Sequence, residues 1–108
     1  MPAHPPSFLL VGYDDVGLAA VIEMQVYQLD RYCFVSAVAV AHRVSGNGLC
    51  GEALDRVPQV MAKYGFENDF TVEGLVDVDN YAAKSAFERR GYEFSGMRNG
   101  YERWGRLF

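Results

Sequence analysis

Alternation of apolar and polar positions, interrupted twice by helical spacing, lays out this chain. Ser7 to Tyr13, with Phe8, Leu9, Leu10 and Val11 in succession, predicts a buried strand, and Asp14-Asp15-Val16-Gly17 a turn after it. Leu18 to Tyr27 predicts a second strand, and Arg31 introduces a third from Tyr32 to Ala41. Turns this short imply an antiparallel meander. The period then changes. Leu49, Ala53, Leu54, Val57, Val60, Met61 and Tyr64 recur at helical spacing, with Gly65 placed to cap the end. Pro58 lies inside that pattern and should kink or interrupt the helix, because it removes one backbone donor.

Phe70 to Val78 predicts the next strand, with acidic residues Glu73, Asp77 and Asp79 increasing toward its end. Asp79 or Asn80 can cap a short helix running to about Arg90, whose buried face would be Ala83, Ala86 and Phe87, and Gly91 stops it. Tyr92 to Met97 and Tyr101 to Phe108, separated by Arg98-Asn99-Gly100, predict a closing hairpin on an Asn-Gly turn. The order is strand, strand, strand, helix, strand, helix, strand, strand, an α/β protein with a mixed sheet.

Composition narrows this further. Half of the 108 residues are hydrophobic, enough for one core, so residues 7–108 form one domain behind a proline-rich extended tail at 1–6. A net charge of −4 disfavours a nucleic-acid surface built on bulk positive charge, although the excess of basic residues falls at 84–108. Cys33, Cys50, His4 and His42 have no metal-ligand spacing, which argues against a metal site and a disulfide framework. With no membrane-length apolar run and no signal-peptide pattern at Met1 to Pro6, the sequence reads as a cytoplasmic protein with reduced thiols.

The candidate chemistry gathers at Arg43-Val44-Ser45-Gly46-Asn47-Gly48, between the third strand and the first helix. A strand feeding a glycine-bearing loop, followed by a helix, aims unpaired N–H groups and a positive dipole end at an anion. Alone, such a hexapeptide is also a common ligand-free turn. In this element order, however, the chain resembles the GNAT N-acetyltransferase superfamily from about Phe8 to Trp104. Two stretches carry the resemblance: Arg43, Gly46 and Gly48 match the acetyl-CoA signature Gln/Arg-x-x-Gly-x-Gly/Ala, and Asn80 to Tyr92 is similar to Asn-x-x-Ala-x-x-x-Tyr-x-x-x-Gly-Phe. Met97 to Tyr101 resembles the branch that acetylates ribosomal-protein N-termini.

The resemblance implies a GNAT-like, mostly antiparallel sheet with two crossover helices, and acetyl-CoA as co-substrate. It implies that the backbone of Ser36, Ala37 and Val38 pairs with the pantetheine arm, that Arg43, Val44, Ser45, Gly46, Asn47 and Gly48 cradle the pyrophosphate, that Asn80 lies beside the pantetheine, and that Phe87 lies near the sulfur. It begins at the family's second strand, so the family's first strand and first two helices have no counterpart in the six residues ahead. An uncovered sheet edge of this kind predicts a homodimer.

Two departures bear on catalysis. Phe87 stands where the family commonly has a tyrosine that protonates the departing thiolate, and Leu75 stands where the ribosomal-protein branch has a glutamate base. Asp77 and Glu73 share the strand face of Leu75 and are candidate bases through a water, while Tyr92 and Tyr101 are candidate acids. Each also reads as an ordinary surface or packing residue. Cys50 reads as a small core residue, His42 as a turn residue, and Arg89, Arg90, Arg98, Arg103 and Arg106 as surface charges or as contacts for CoA phosphates. The reading is an acetyl-CoA-dependent N-acetyltransferase acting on a primary amine. The alternative is a weak or inactive GNAT-fold module that binds CoA or a protein partner.

Overall fold

A computed structural model describes residues 7–41, 43 and 48–108. Its elements are β1 (Ser7–Tyr13), β2 (Leu18–Tyr27), β3 (Tyr32–Val40), α1 (Leu49–Lys63), β4 (Thr71–Asp77), α2 (Tyr81–Arg89), β5 (Glu93–Arg98) and β6 (Tyr101–Leu107). The strands form one sheet in the order β1-β2-β3-β4-β6-β5. Only β3 and β4 run parallel, joined by α1; every other neighbouring pair is antiparallel.

Local chemistry accounts for the boundaries. The Asp14 carboxylate accepts from the N–H groups of Val16 and Gly17 at 2.9 and 3.1 Å, closing the β1–β2 turn. Asn80 caps α2, its side-chain oxygen accepting from Ala83 N–H at 3.1 Å. Asn99 and Gly100 adopt φ of 53° and 85°, the two left-handed residues that a tight hairpin between twisted strands requires. Gly65, at φ 87°, ends α1 after its Tyr64 cap.

Pro58 corrects the expected interruption, because α1 continues through it from Leu49 to Lys63. Packing overrides propensity there: Leu54, Val57, Val60 and Met61 are all buried against the sheet on either side of the proline.

The core lies on one face of the sheet. Leu54, Val57, Val60 and Met61 of α1 and Phe87 of α2 pack with Ile22, Met24, Val26, Cys33, Val35, Val72, Val76 and Trp104 from the strands. Alternation sends Glu23, Gln25, Tyr32, Phe34, Glu73, Leu75 and Arg103 to the other face, which no helix covers among the described residues.

Pro58→Ala should restore a donor to the helix interior and raise stability by about 1–3 kcal/mol. Thermal unfolding checks it: the midpoint should rise by several degrees, and an unchanged midpoint would show that the proline costs this helix nothing.

Candidate functional site

The site begins where β3 and β4 separate. They pair only from Tyr32↔Thr71 to Val35↔Gly74, yet β3 continues to Val40 and β4 to Asp77. A β-bulge sits at the same level: Met24 pairs with Val35 and Glu23 with Ala37, leaving Ser36 as the extra residue. Such an insertion bends and twists its strand, which turns β3 away from β4 while β4 follows β6. Beyond Val35, backbone groups of β3 directed toward β4 have no ladder partner.

Phe87 wedges the apex of this opening. Its ring is buried, meets Tyr92 edge-on at 5.0 Å, and lies so close to Gly74 that a Cβ there would stand 2.8 Å from Cζ. The resulting cleft of about 190 Å³ is walled by Ala37 and Val38 on one strand and by Leu75, Val76 and Asp77 on the other, with Phe87 and Val35 at its floor. Asn80 and Ala83 border it and also border a second, larger cleft of about 490 Å³ between α1 and α2. The two therefore adjoin across these residues.

The larger cleft ends at the first turn of α1, lined by Gly48, Leu49, Cys50 and Gly51 and faced by Ala82, Ser85, Ala86, Arg89 and Arg90. Gly48 occupies the helix N-cap at φ 79° and makes no side-chain cap. The first helical bond runs from Glu52 N–H to Gly48 C=O at 3.1 Å, so the N–H groups ahead of it have no partner within the helix. Small residues on one wall, and donors at the end that have no partner among the described residues, suit a narrow anionic chain molecule.

Of the residues singled out from the sequence, Ala37, Val38, Gly48, Asn80, Phe87 and Asp77 meet along this groove. Val44, Ser45, Gly46, Asn47 and His42 lie outside the described residues. Ser36 turns its hydroxyl to β2, donating to Glu23 Oε1 at 2.8 Å and accepting from Gln25 at 3.1 Å, so only its backbone can serve the groove.

Arg43 also points elsewhere: it donates to Asp14 Oδ1 at 2.7 Å and to Leu18 C=O at 2.9 Å, tying the start of the loop to the β1–β2 turn. Glu73 accepts from Tyr32 Oη at 2.9 Å and lies 3.6 Å from Arg103 Nε, outside both clefts. Tyr92 is packed between Phe87 and Phe108, its hydroxyl unpartnered among the described residues and its ionisation pushed up by burial. Tyr101 stands at the start of β6 opposite Asp77. Asp77 is the carboxylate that lines the cleft itself, and its Oδ1 accepts from Asp79 N–H at 2.9 Å. Burial raises the Cys50 thiol, despite the opposing charge of Arg90.

This architecture is shared with solved structures. PaiA N-acetyltransferase from Thermoplasma acidophilum, in complex with coenzyme A, superposes with a TM-score of 0.80 at 13% identity over 94% of this chain and 61% of that one. This chain has the GNAT fold. Nourseothricin acetyltransferase matches with a TM-score of 0.75 at 21% identity over 94% of this chain and 64% of that one. The ribosomal alpha-N-protein acetyltransferase RimL matches with a TM-score of 0.70 at 15% identity over 94% and 69%. The chain thus spans between about three fifths and seven tenths of these GNAT proteins. No protein-family model and no curated protein matches the sequence.

Sequence reasoning missed the Ser36 bulge, the Arg43–Asp14 pair and the contact of Arg90 with Gly51 and Asp55. A bulge leaves only a phase slip, visible as buried Val35 and half-buried Val38 three positions apart in a strand. Asp14 with Val16 and Gly17 was legible as a turn, but its cation comes from 29 residues away.

Two outcomes follow. Gly74→Ala should push the Phe87 ring into the cleft and lower stability by about 1–3 kcal/mol in denaturant unfolding, with Phe87→Leu relieving most of that loss; a neutral Gly74→Ala would contradict the wedge. The Arg43 guanidinium holds the Asp14 carboxyl below its ordinary value of 3.8. A depressed folded value gives stability present above that ordinary value and lost as pH falls through the folded one. Unfolding midpoints of the protein and Asp14→Asn should therefore separate above about pH 4 and converge toward pH 2; parallel curves would show that the pair contributes nothing.

Proposed function

We propose that this chain is an acetyl-CoA-dependent N-acetyltransferase that acts on a primary amine by direct attack. One observation carries the reading: the parting of β3 and β4 forms a cleft that adjoins a second one ending on N–H groups of α1 that have no partner among the described residues. The residues fit the ligand. Bound acetyl-CoA would supply an activated acetyl thioester. The turn at Gly48 and the N-terminal donors of α1 hold its phosphates, Asn80 and Ala83 flank its arm, and Ala37 and Val38 present backbone groups to its acyl end.

The open face of the sheet is where the acceptor enters, between Ala37 and Leu75. Asp77 receives the acceptor's proton through a water. Phe87 supplies packing and no proton, which slows the reaction without preventing it: a thiol near pKa 8.5 leaves tolerably as a thiolate, and positioning outweighs general acid catalysis in magnitude. The preferred acceptor carries a low-pKa amine. At pH 7 an α-amine is uncharged roughly 10–15% of the time, a lysine roughly 0.04%. The reading places the protein in the cytoplasm with reduced thiols.

A second reading has its own support in Phe87 and Leu75, which remove the family's acid and base. On it, the fold binds CoA or a protein partner and turns nothing over. In either case the exposed Leu9, Val11 and Tyr13 of the outer strand β1 form the surface of a homodimer.

Thiol release from acetyl-CoA, followed over a panel of α-amino peptides, amino sugars and small amines, separates the two. The enzyme reading expects turnover that falls about 10²–10⁴-fold in Asp77→Asn. Stable CoA binding without turnover on any amine would favour the module. Light scattering should give twice the chain mass at micromolar concentration; a monomer there would contradict the dimer.

A further inference from the structure

Arg90 follows the last turn of α2 and sends its side chain across to α1. Its Nε and Nη2 donate to the two oxygens of Asp55 at 2.9 and 3.2 Å, a two-pronged pair between the helices. The guanidinium rests against Gly51 so closely that any side chain there would overlap it. Arg106 donates to the Arg90 carbonyl and fixes the base of the arm.

Gly51 belongs to the same first turn of α1, whose N–H groups ahead of Glu52 have no partner among the described residues, and Arg90 lines the cleft that this turn borders. The charge on Arg90 therefore stands beside the donors that would take a phosphate. Its present partner is the weaker claimant, since the Asp55 side chain is 57% exposed whereas Arg90 is 27% exposed. Exposed ion pairs contribute little, because water competes for both charges.

We propose that Arg90 is a two-position clamp, paired with Asp55 in the free protein and transferred to the phosphate oxygens of a CoA-type ligand lying on the first turn of α1. The inference rests on the acyl-CoA reading. It makes Asp55 a competitor of the ligand, which reverses the sign expected of a structural ion pair. A strut that merely held α1 to α2 would weaken binding when broken. A competitor strengthens binding when removed. Gly51 leaves the space in which the guanidinium lies against this turn.

Calorimetric titration of CoA, pantetheine and inorganic pyrophosphate into the full chain, Asp55→Asn, Arg90→Leu and the double variant tests this, with thermal melts verifying folding. Asp55→Asn should bind CoA about two- to fivefold tighter, the size of a lost surface pair, and pantetheine without change. Arg90→Leu should bind CoA about tenfold more weakly and cancel the effect of Asp55→Asn. If Arg90→Leu does not fold, Arg90→Lys replaces it, keeping the charge but not the fork. CoA binding that is unchanged or weaker in Asp55→Asn overturns the clamp. No CoA binding by the protein, with pyrophosphate tighter in Asp55→Asn, overturns the acyl-CoA reading and leaves the clamp standing; no effect on either ligand overturns the clamp.

Discussion

The loss of pairing between β3 and β4 beyond Val35 and Gly74 is the constraint from which the site follows. A sheet ordinarily satisfies every interior backbone group, and leaving one buried without a partner costs about 1–3 kcal/mol. This chain gives up that pairing in the middle of its sheet, where a continuous ladder would be more stable. Two devices hold the gap open. The Ser36 bulge turns one strand, and the Phe87 ring, admitted by the bare Gly74, fills the apex behind it. A groove that offers unpaired backbone groups and an apolar floor is complementary to a ligand that brings its own amides and an apolar end.

The rest of the groove is built from the same economy of side chains. Half of its lining residues are alanine, glycine or valine. Charged residues act at its margins. Arg43 fastens the loop to the β1–β2 turn through Asp14, Arg90 spans α1 and α2, and Asp77 stands at the mouth of the cleft. The fold itself is shared with solved structures at identities of 12–21% and TM-scores of 0.70–0.80.

Much of this was legible in the residues. The β1 and β2 boundaries coincide with the apolar runs, and the Asn80 cap and the Asn99-Gly100 turn appear where their side chains and backbone freedom demand them. At Pro58 the expected interruption rested on local propensity, whereas α1 runs through the proline with Leu54, Val57, Val60 and Met61 buried on either side of it. In the site, Gly48 was readable as a glycine between strand and helix, whereas Ala37 and Asn80 came from the family resemblance and not from composition; all three line the clefts. Pairings did not. Asp14 with Arg43 and Asp55 with Arg90 join residues 29 and 35 positions apart, and nothing in either neighbourhood announces its partner. The candidate base Glu73 looked equivalent to Asp77 by alternation alone; only three-dimensional pairing shows Glu73 engaged with Tyr32 and Arg103.

The account depends on a ligand occupying the gap between β3 and β4 and reaching α1. Amide chemical shifts of labelled protein, followed as acetyl-CoA is added, test this most directly. The account predicts saturable shifts at Ala37, Val38, Leu49, Cys50 and Gly51, with the amides of the outer strands β1 and β5 unmoved. Shifts confined to other surfaces, or none at millimolar acetyl-CoA, would contradict it.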